Sequence, residues 1–166
     1  MTDGGALDAT RDRVLERAAI RDGETVLDVG AGDGWLTFGA LPLVGDAWVI
    51  AIDSSVSALD VLRCAAHEGG AVGIRYLLGD ADVLPLPDAS ADVALGRSVL
   101  AGAAEPTEAA RELHRVLRSA GRVSLIEPAG AGDLLPALDG AGFEDVQVVH
   151  AEELEPALVL VAARRM

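Results

Sequence analysis

Thr25-Val-Leu-Asp-Val-Gly-Ala-Gly-Asp-Gly34 is the stretch that decides the fold of this chain. It begins with a short run, apolar but for Asp28, and ends in three alternating glycines before apolar residues resume at Trp35 and Leu36. A buried strand, a glycine turn and a helix start, in that order, open a parallel α/β sheet. Nineteen residues after Gly34, Asp53 closes a second apolar run at 47–52. An acid at the carboxyl end of the second strand is where such a sheet holds the ribose of a nucleoside. The glycine spacing narrows the choice of nucleoside. A dinucleotide turn needs its third glycine at position 35, which is Trp35, whereas this chain spaces Gly30, Gly32 and Gly34 two apart.

Gly30 and Gly32 lack a Cβ, so the chain can turn tightly and lay its backbone against a ligand. Gly34 stands where the helix begins, and free N–H groups there are expected to point into the crevice. A pyrophosphate would seek those donors. Two acids in the same loop, Asp28 and Asp33, disfavour a phosphate and favour a cation such as an ammonium or a sulfonium.

Outside this stretch the chain alternates strand and helix patterns. Residues 7–20 repeat apolar positions at helical spacing, as do 56–67 and, most regularly, 105–117. Ser54 or Ser55 caps the helix that follows Asp53. Strands are expected at 26–29, 47–52, 72–78, 92–95 and 123–126, helices at 35–43 and 134–138. Two last strands, 143–149 and 158–163, have no helix between them. The short acidic turn at 152–156 makes them antiparallel. The expectation is an α/β fold over 1–166 as one domain: a doubly wound, mostly parallel seven-stranded sheet ending in an antiparallel hairpin.

Composition excludes several function classes. The 166 residues carry 27 acids against 13 basic residues, a net charge of −14, and every basic residue is arginine. A field of that sign repels nucleic acid. Half the chain (51%) is apolar and only 3% aromatic, so Ala, Val and Leu must build the core. The lone Cys64 permits no intrachain disulfide and is expected in the core. Three scattered histidines lack metal spacing, so no metal is expected. No apolar run reaches the ~18 residues of a membrane span, and the first residues do not read as a signal peptide. The expectation is a cytoplasmic protein that meets neither nucleic acid nor membrane.

The G-x-G-x-G loop, Asp53 and the Leu78-Gly-Asp-Ala81 turn together resemble class I S-adenosylmethionine-dependent methyltransferases. Residues 111–128, Arg-Glu-Leu-His-Arg-Val-Leu-Arg-Ser-Ala-Gly-Arg-Val-Ser-Leu-Ile-Glu-Pro, are similar to the helix–turn–strand of the small-molecule, quinone-biosynthesis-like subgroup, methyltransferase type 11. Residues 81–88 resemble the subgroup's D-x-x-x-L-P-F stretch, with Leu86 where an aromatic is common. The resemblance runs over 8–163. It implies S-adenosylmethionine as cofactor, S-adenosylhomocysteine as product and a small-molecule acceptor. The implied cofactor site is Asp28, Gly30, Ala31, Gly32, Gly34, Asp53, Ser54, Asp80, Ala81 and Arg97. In it Asp53 accepts the ribose hydroxyls, Asp80 the adenine amino group, and Ala81 offers its N–H to the ring.

Two departures from the family matter. Relatives often carry histidines after the fourth strand, where this chain has Ala101 and Gly102, so no catalytic residue is assigned. Little chain is present where relatives carry lids. A homodimer or a protein partner closing the site is therefore expected, with the 158–163 strand a candidate self-association surface. A cofactor-binding scaffold that has lost catalysis is the rival reading. Arg97 either orients an anionic acceptor or pairs with Asp92 or Asp80. Glu127 points to the crevice side of the sheet without a catalytic assignment, and His114 reads as a helix-surface residue.

Overall fold

A computed structural model of the chain describes residues 4–129, 134–150 and 158–166. Strands and helices alternate as α1 (Gly4–Ala18), β1 (Val26–Val29), α2 (Trp35–Ala40), β2 (Val49–Asp53), α3 (Val56–Glu68), β3 (Ile74–Leu78) and β4 (Ala91–Arg97). Then come α4 (Val99–Gly102), α5 (Pro106–Val116), β5 (Leu117–Pro128), α6 (Leu135–Ala141), β6 (Phe143–His150) and β7 (Leu158–Arg165). The seven strands form one sheet in the order β3-β2-β1-β4-β5-β7-β6. The first five are parallel; β7 runs antiparallel to both β5 and β6. The order reverses at β1, and there the carboxyl ends of β1 and β4 splay loops to opposite sides and open a crevice.

Side-chain alternation along the strands feeds two apolar layers. Val26, Val49, Val93 and Ile126 pack under α1 and α2, with Ala51 and Leu62 continuing that layer beneath α3. Leu27, Ile52 and Leu125 face the other way, onto α5 and α6. The helix at α5 is as regular as its pattern: Ala109, Ala110, Leu113 and Val116 are buried on one face.

Several expectations are corrected. The 35–43 helix stops at Ala40, and Pro42 falls in a separate 3-10 turn, Leu41–Leu43. Helix α4 has too few residues to show a period. The turn implied within residues 111–128 is instead a bulge in β5 at Ser119-Ala120-Gly121, because Leu117 already pairs with Ala91 before Arg122 resumes beside Val93. Cys64 is exposed; α3 buries Leu59, Leu62 and Ala66, and position 64 faces away from that stripe. Strand β7 is paired on both sides, with Val161 and Ala163 buried, so neither of its edges is open to strand addition. The acidic 152–156 turn lies outside the described residues. Among the described residues no helix is long and apolar enough to cross a membrane.

Candidate functional site

The crevice at the carboxyl ends of β1 to β4 has two adjoining lobes, of about 170 and 30 Å³. Gly30, Asp53, Ser54, Asp80 and Ala81 line the larger lobe. Asp28, Ala31, Gly32, Asp33 and Trp35 line the smaller, and Arg97 borders both. Nine of the ten residues implied by the sequence thus converge there. The exception is Gly34. A Cβ at Gly34 would lie 2.1 Å from Leu62 Cδ1 and 2.9 Å from Phe38 Cε2, and its φ is +87°. Packing of the loop on α3 demands that glycine, whereas a Cβ on Gly32 would meet nothing closer than 3.9 Å.

The amides of the glycine loop do not point free into the crevice, as the sequence led one to expect. Gly30 and Ala31 N–H both donate to Ile52 O at 2.8 and 3.0 Å. Gly32 N–H donates to Asp53 Oδ2 at 2.9 Å, and Gly34 N–H to Ala31 O at 2.8 Å. Trp35 N–H is taken by Asp33 Oδ1. With these donors spent inside the fold, the loop presents carboxylates to a ligand, which is the opposite of a phosphate cradle.

Asp53 works as a strut. Its second oxygen accepts Ser55 N–H at 2.8 Å, so one carboxylate ties the glycine loop to the start of α3. Ser55 rather than Ser54 is the cap, its Oγ accepting Ala58 N–H, which leaves Ser54 on the crevice wall. Each carboxylate oxygen keeps a lone pair for a further donor. Asp28 is 1% exposed and accepts the Thr37 hydroxyl at 2.6 Å. Burial, opposed by the bonds from Thr37, raises its pKa to about 7, and Asp53 and Asp33 add to the rise. Sequence reasoning passed over Thr37; a buried hydroxyl nine residues after Asp28 was its only signal.

Gly79 precedes Asp80 where a Cβ would lie 2.5 Å from Pro85 Cδ, so the loop beyond folds back onto the glycine. The loop beyond is clamped from α5. Arg115 donates to Leu84 O, Leu86 O and Asp88, while Glu112 accepts Leu84 N–H.

Arg97 pairs with neither Asp92 nor Asp80. Asp92 sits at the far end of β4, bonded to Arg118 and Thr25 N–H. The Arg97 guanidinium lies over the Trp35 ring, 5.5 Å from its centre. It is the one cation lining the lobes among the described residues, against Asp28, Asp33, Asp53 and Asp80. Glu127 is fully buried and accepts Leu100 and Ala101 N–H at 3.0 and 3.1 Å. It anchors α4, and burial raises its pKa. His114 is half-buried, its ring edge-on to Phe143 at 5.2 Å, and burial lowers its pKa.

Comparison with known proteins agrees with this geometry. A family described as "Methyltransferase domain", type 11, matches residues 27–125. An arsenite methyltransferase of Halobacterium salinarum is 32% identical over 161 aligned residues, covering 82% of this chain and 41% of that protein. A ubiquinone/menaquinone biosynthesis C-methyltransferase of Vibrio campbellii is 33% identical, covering 76% of this chain and 50% of that one. The chain thus spans about half the length of these relatives. A solved SAM-dependent methyltransferase from Aquifex aeolicus superposes with a TM-score of 0.82 at 21% identity, over 100% of both chains. Sheet order, a glycine loop turned toward cations, and this sequence match have one common explanation: the chain belongs to the type 11 methyltransferase-domain family of class I S-adenosylmethionine-dependent methyltransferases.

Proposed function

We propose that the chain holds S-adenosylmethionine, its family's cofactor, in this crevice and methylates a small-molecule acceptor that carries an anionic group. The observation that carries the reading is the donor inventory of the glycine loop: amides spent inside the fold, carboxylates facing the ligand. A sulfonium and an ammonium fit that set; a pyrophosphate does not. Asp53 would accept the ribose hydroxyls with its spare lone pairs, with Ser54 beside it. Asp80 and the Ala81 N–H would receive the adenine, and Asp28 the ammonium.

When bound, the cofactor supplies an electrophilic methyl on sulfur that leaves as a neutral thioether. The chain's part is to align the acceptor in line with that bond and to exclude water. The lobes offer no His, Cys, Tyr or Lys as a base among the described residues. An acceptor atom that ionises by itself, or an activated carbon, suits such a site. Arg97, at the junction of the lobes and paired with no carboxylate, is placed to hold the acceptor's anion. The open wall at Ala101 and Gly102 supports closure by a second copy or a protein partner.

Calorimetry with S-adenosylmethionine, S-adenosylhomocysteine and NAD tests the reading. Binding of the first two and none of NAD is expected. NAD binding with no affinity for S-adenosylhomocysteine would overturn it.

A further inference from the structure

A second cleft, of about 460 Å³, opens at the opposite end of the sheet from the crevice. It lies on the α1 side, where β5 begins and β7 ends. Arg17 and Arg21 line it from the end of α1 and beyond, Arg122 from β5 and Arg164 from β7. Four of the chain's thirteen arginines gather there in a protein of net charge −14. Only one carboxylate, Asp145, is among the lining residues. Glu24 stands behind, held by Arg122 at 2.7 and 3.0 Å. Glu144 is opposite Arg164 in the β6–β7 register without an ion pair between them.

Three further observations indicate that the cleft is built for an anion. First, Arg122 and Arg164 are direct partners across β5 and β7; Glu24 balances Arg122, while Arg164 has no carboxylate partner among the described residues. Second, the α1 carbonyls that would repel an anion are already occupied: Arg122 donates to Ala18 O and Ala19 O. Arg17 spends one donor on Gln147, while its Nε is buried without a hydrogen-bond partner among the described residues. Third, the backbone is strained here. Of the five non-glycine residues with positive φ among the described residues, Ala19 (46°), Ala120 (63°) and Asp145 (53°) all line this cleft. Such conformations are costly for residues with a Cβ and cluster where a ligand or a switch needs them. The floor, Ala162 and Ala163, is small and leaves the volume open.

We propose that this cleft is a second binding site, separate from the cofactor crevice, which takes a small phosphate-bearing anion. A phosphate monoester or diphosphate carries the charge and the several acceptor oxygens that Arg17, Arg21 and Arg164 can share, with Arg122 held in place by Glu24, Ala18 O and Ala19 O. The excess volume accommodates the body of such a molecule.

The test titrates the whole chain with inorganic phosphate, pyrophosphate and citrate, following heat and the thermal midpoint at about 0.05 and 0.15 M salt. Saturable pyrophosphate binding that weakens with salt is expected, with a raised midpoint. Arg164→Gln, an exposed position that leaves the fold intact, should weaken it at least ten-fold, and Arg17→Gln/Arg164→Gln should abolish it. Affinity for S-adenosylhomocysteine should stay unchanged in both variants, so the two sites are read separately. Pyrophosphate binding that does not saturate, or that persists in the double variant, overturns the proposal. So does binding lost in Arg97→Gln and kept in Arg164→Gln, since the ion would then occupy the crevice. Citrate binding as tight as pyrophosphate overturns the phosphate assignment.

Discussion

Asp53 accepts the Gly32 amide at 2.9 Å across the mouth of the crevice, joining the end of β2 to the loop after β1. The residue read as a ribose ligand therefore also shapes the wall on which the rest of the cofactor would lie. Asp53→Ala should weaken S-adenosylhomocysteine binding by about 1.5–3 kcal/mol, the scale of losing charge-assisted hydrogen bonds. Calorimetry on the folded variant checks this, and an unchanged dissociation constant would sink the assignment.

The two neighbouring glycines should part company on mutation. Gly34→Val drives a side chain into Leu62 and Phe38 and should lower the thermal midpoint sharply. Gly32→Val meets open space, carries the strain of a +55° φ, and should fold while losing cofactor affinity. Thermal melts beside binding titrations separate the two. A stable Gly34→Val that binds normally contradicts the packing argument.

Asp28 makes the crevice pH-sensitive. Its folded pKa of about 7 lies above the ordinary 3.8, so between those values the folded state keeps a proton that the unfolded state has released. Stability contributed at this site therefore falls as pH rises from about 4 to 7 and is level above. Asp28→Asn should gain on the parent in thermal midpoint across that window. A cationic ligand prefers the ionised form, so cofactor affinity in the parent should rise up to pH 7, and Asp28→Asn should flatten that rise. A parent whose affinity is the same at pH 6 and 8 refutes the role.

Arg97→Gln tests the anionic acceptor. Once an acceptor is found, its KM should rise ten-fold or more while the affinity for S-adenosylhomocysteine holds. A weakened S-adenosylhomocysteine and an unchanged acceptor KM would assign Arg97 to the cofactor's carboxylate instead.

Glu127→Ala strips the acceptor from the Leu100 and Ala101 amides of α4 and leaves the Leu100 amide buried. It should cost about 2–3 kcal/mol of stability, the penalty for such unsatisfied donors. Chemical denaturation measures it. A loss under half a kcal/mol would mean that α4 is anchored by packing alone.

The alternation of apolar runs and helical stripes set the order of strands and helices, and with it the parallel sheet. That topology brings the carboxyl ends of β1, β2 and β3 side by side, so Asp28 and Asp53 were legible as one site from the chain alone, and the family resemblance added Asp80. Local periodicity encodes these features, because each strand's end is marked by its own residues. Contacts between residues far apart are another matter. Gly34 is glycine on account of Leu62, Gly79 on account of Pro85, and neither neighbour is implied by the turn itself. Arg97 is left to the crevice because Asp92 lies at the opposite end of β4, where Arg118 takes it. The arginine cleft joins positions 17, 21, 122 and 164, which only strand register and the docking of α1 bring together. A short-range pattern specifies which elements form; side-chain partners across the sheet follow from crossover, register and packing, and those exist only in the folded chain.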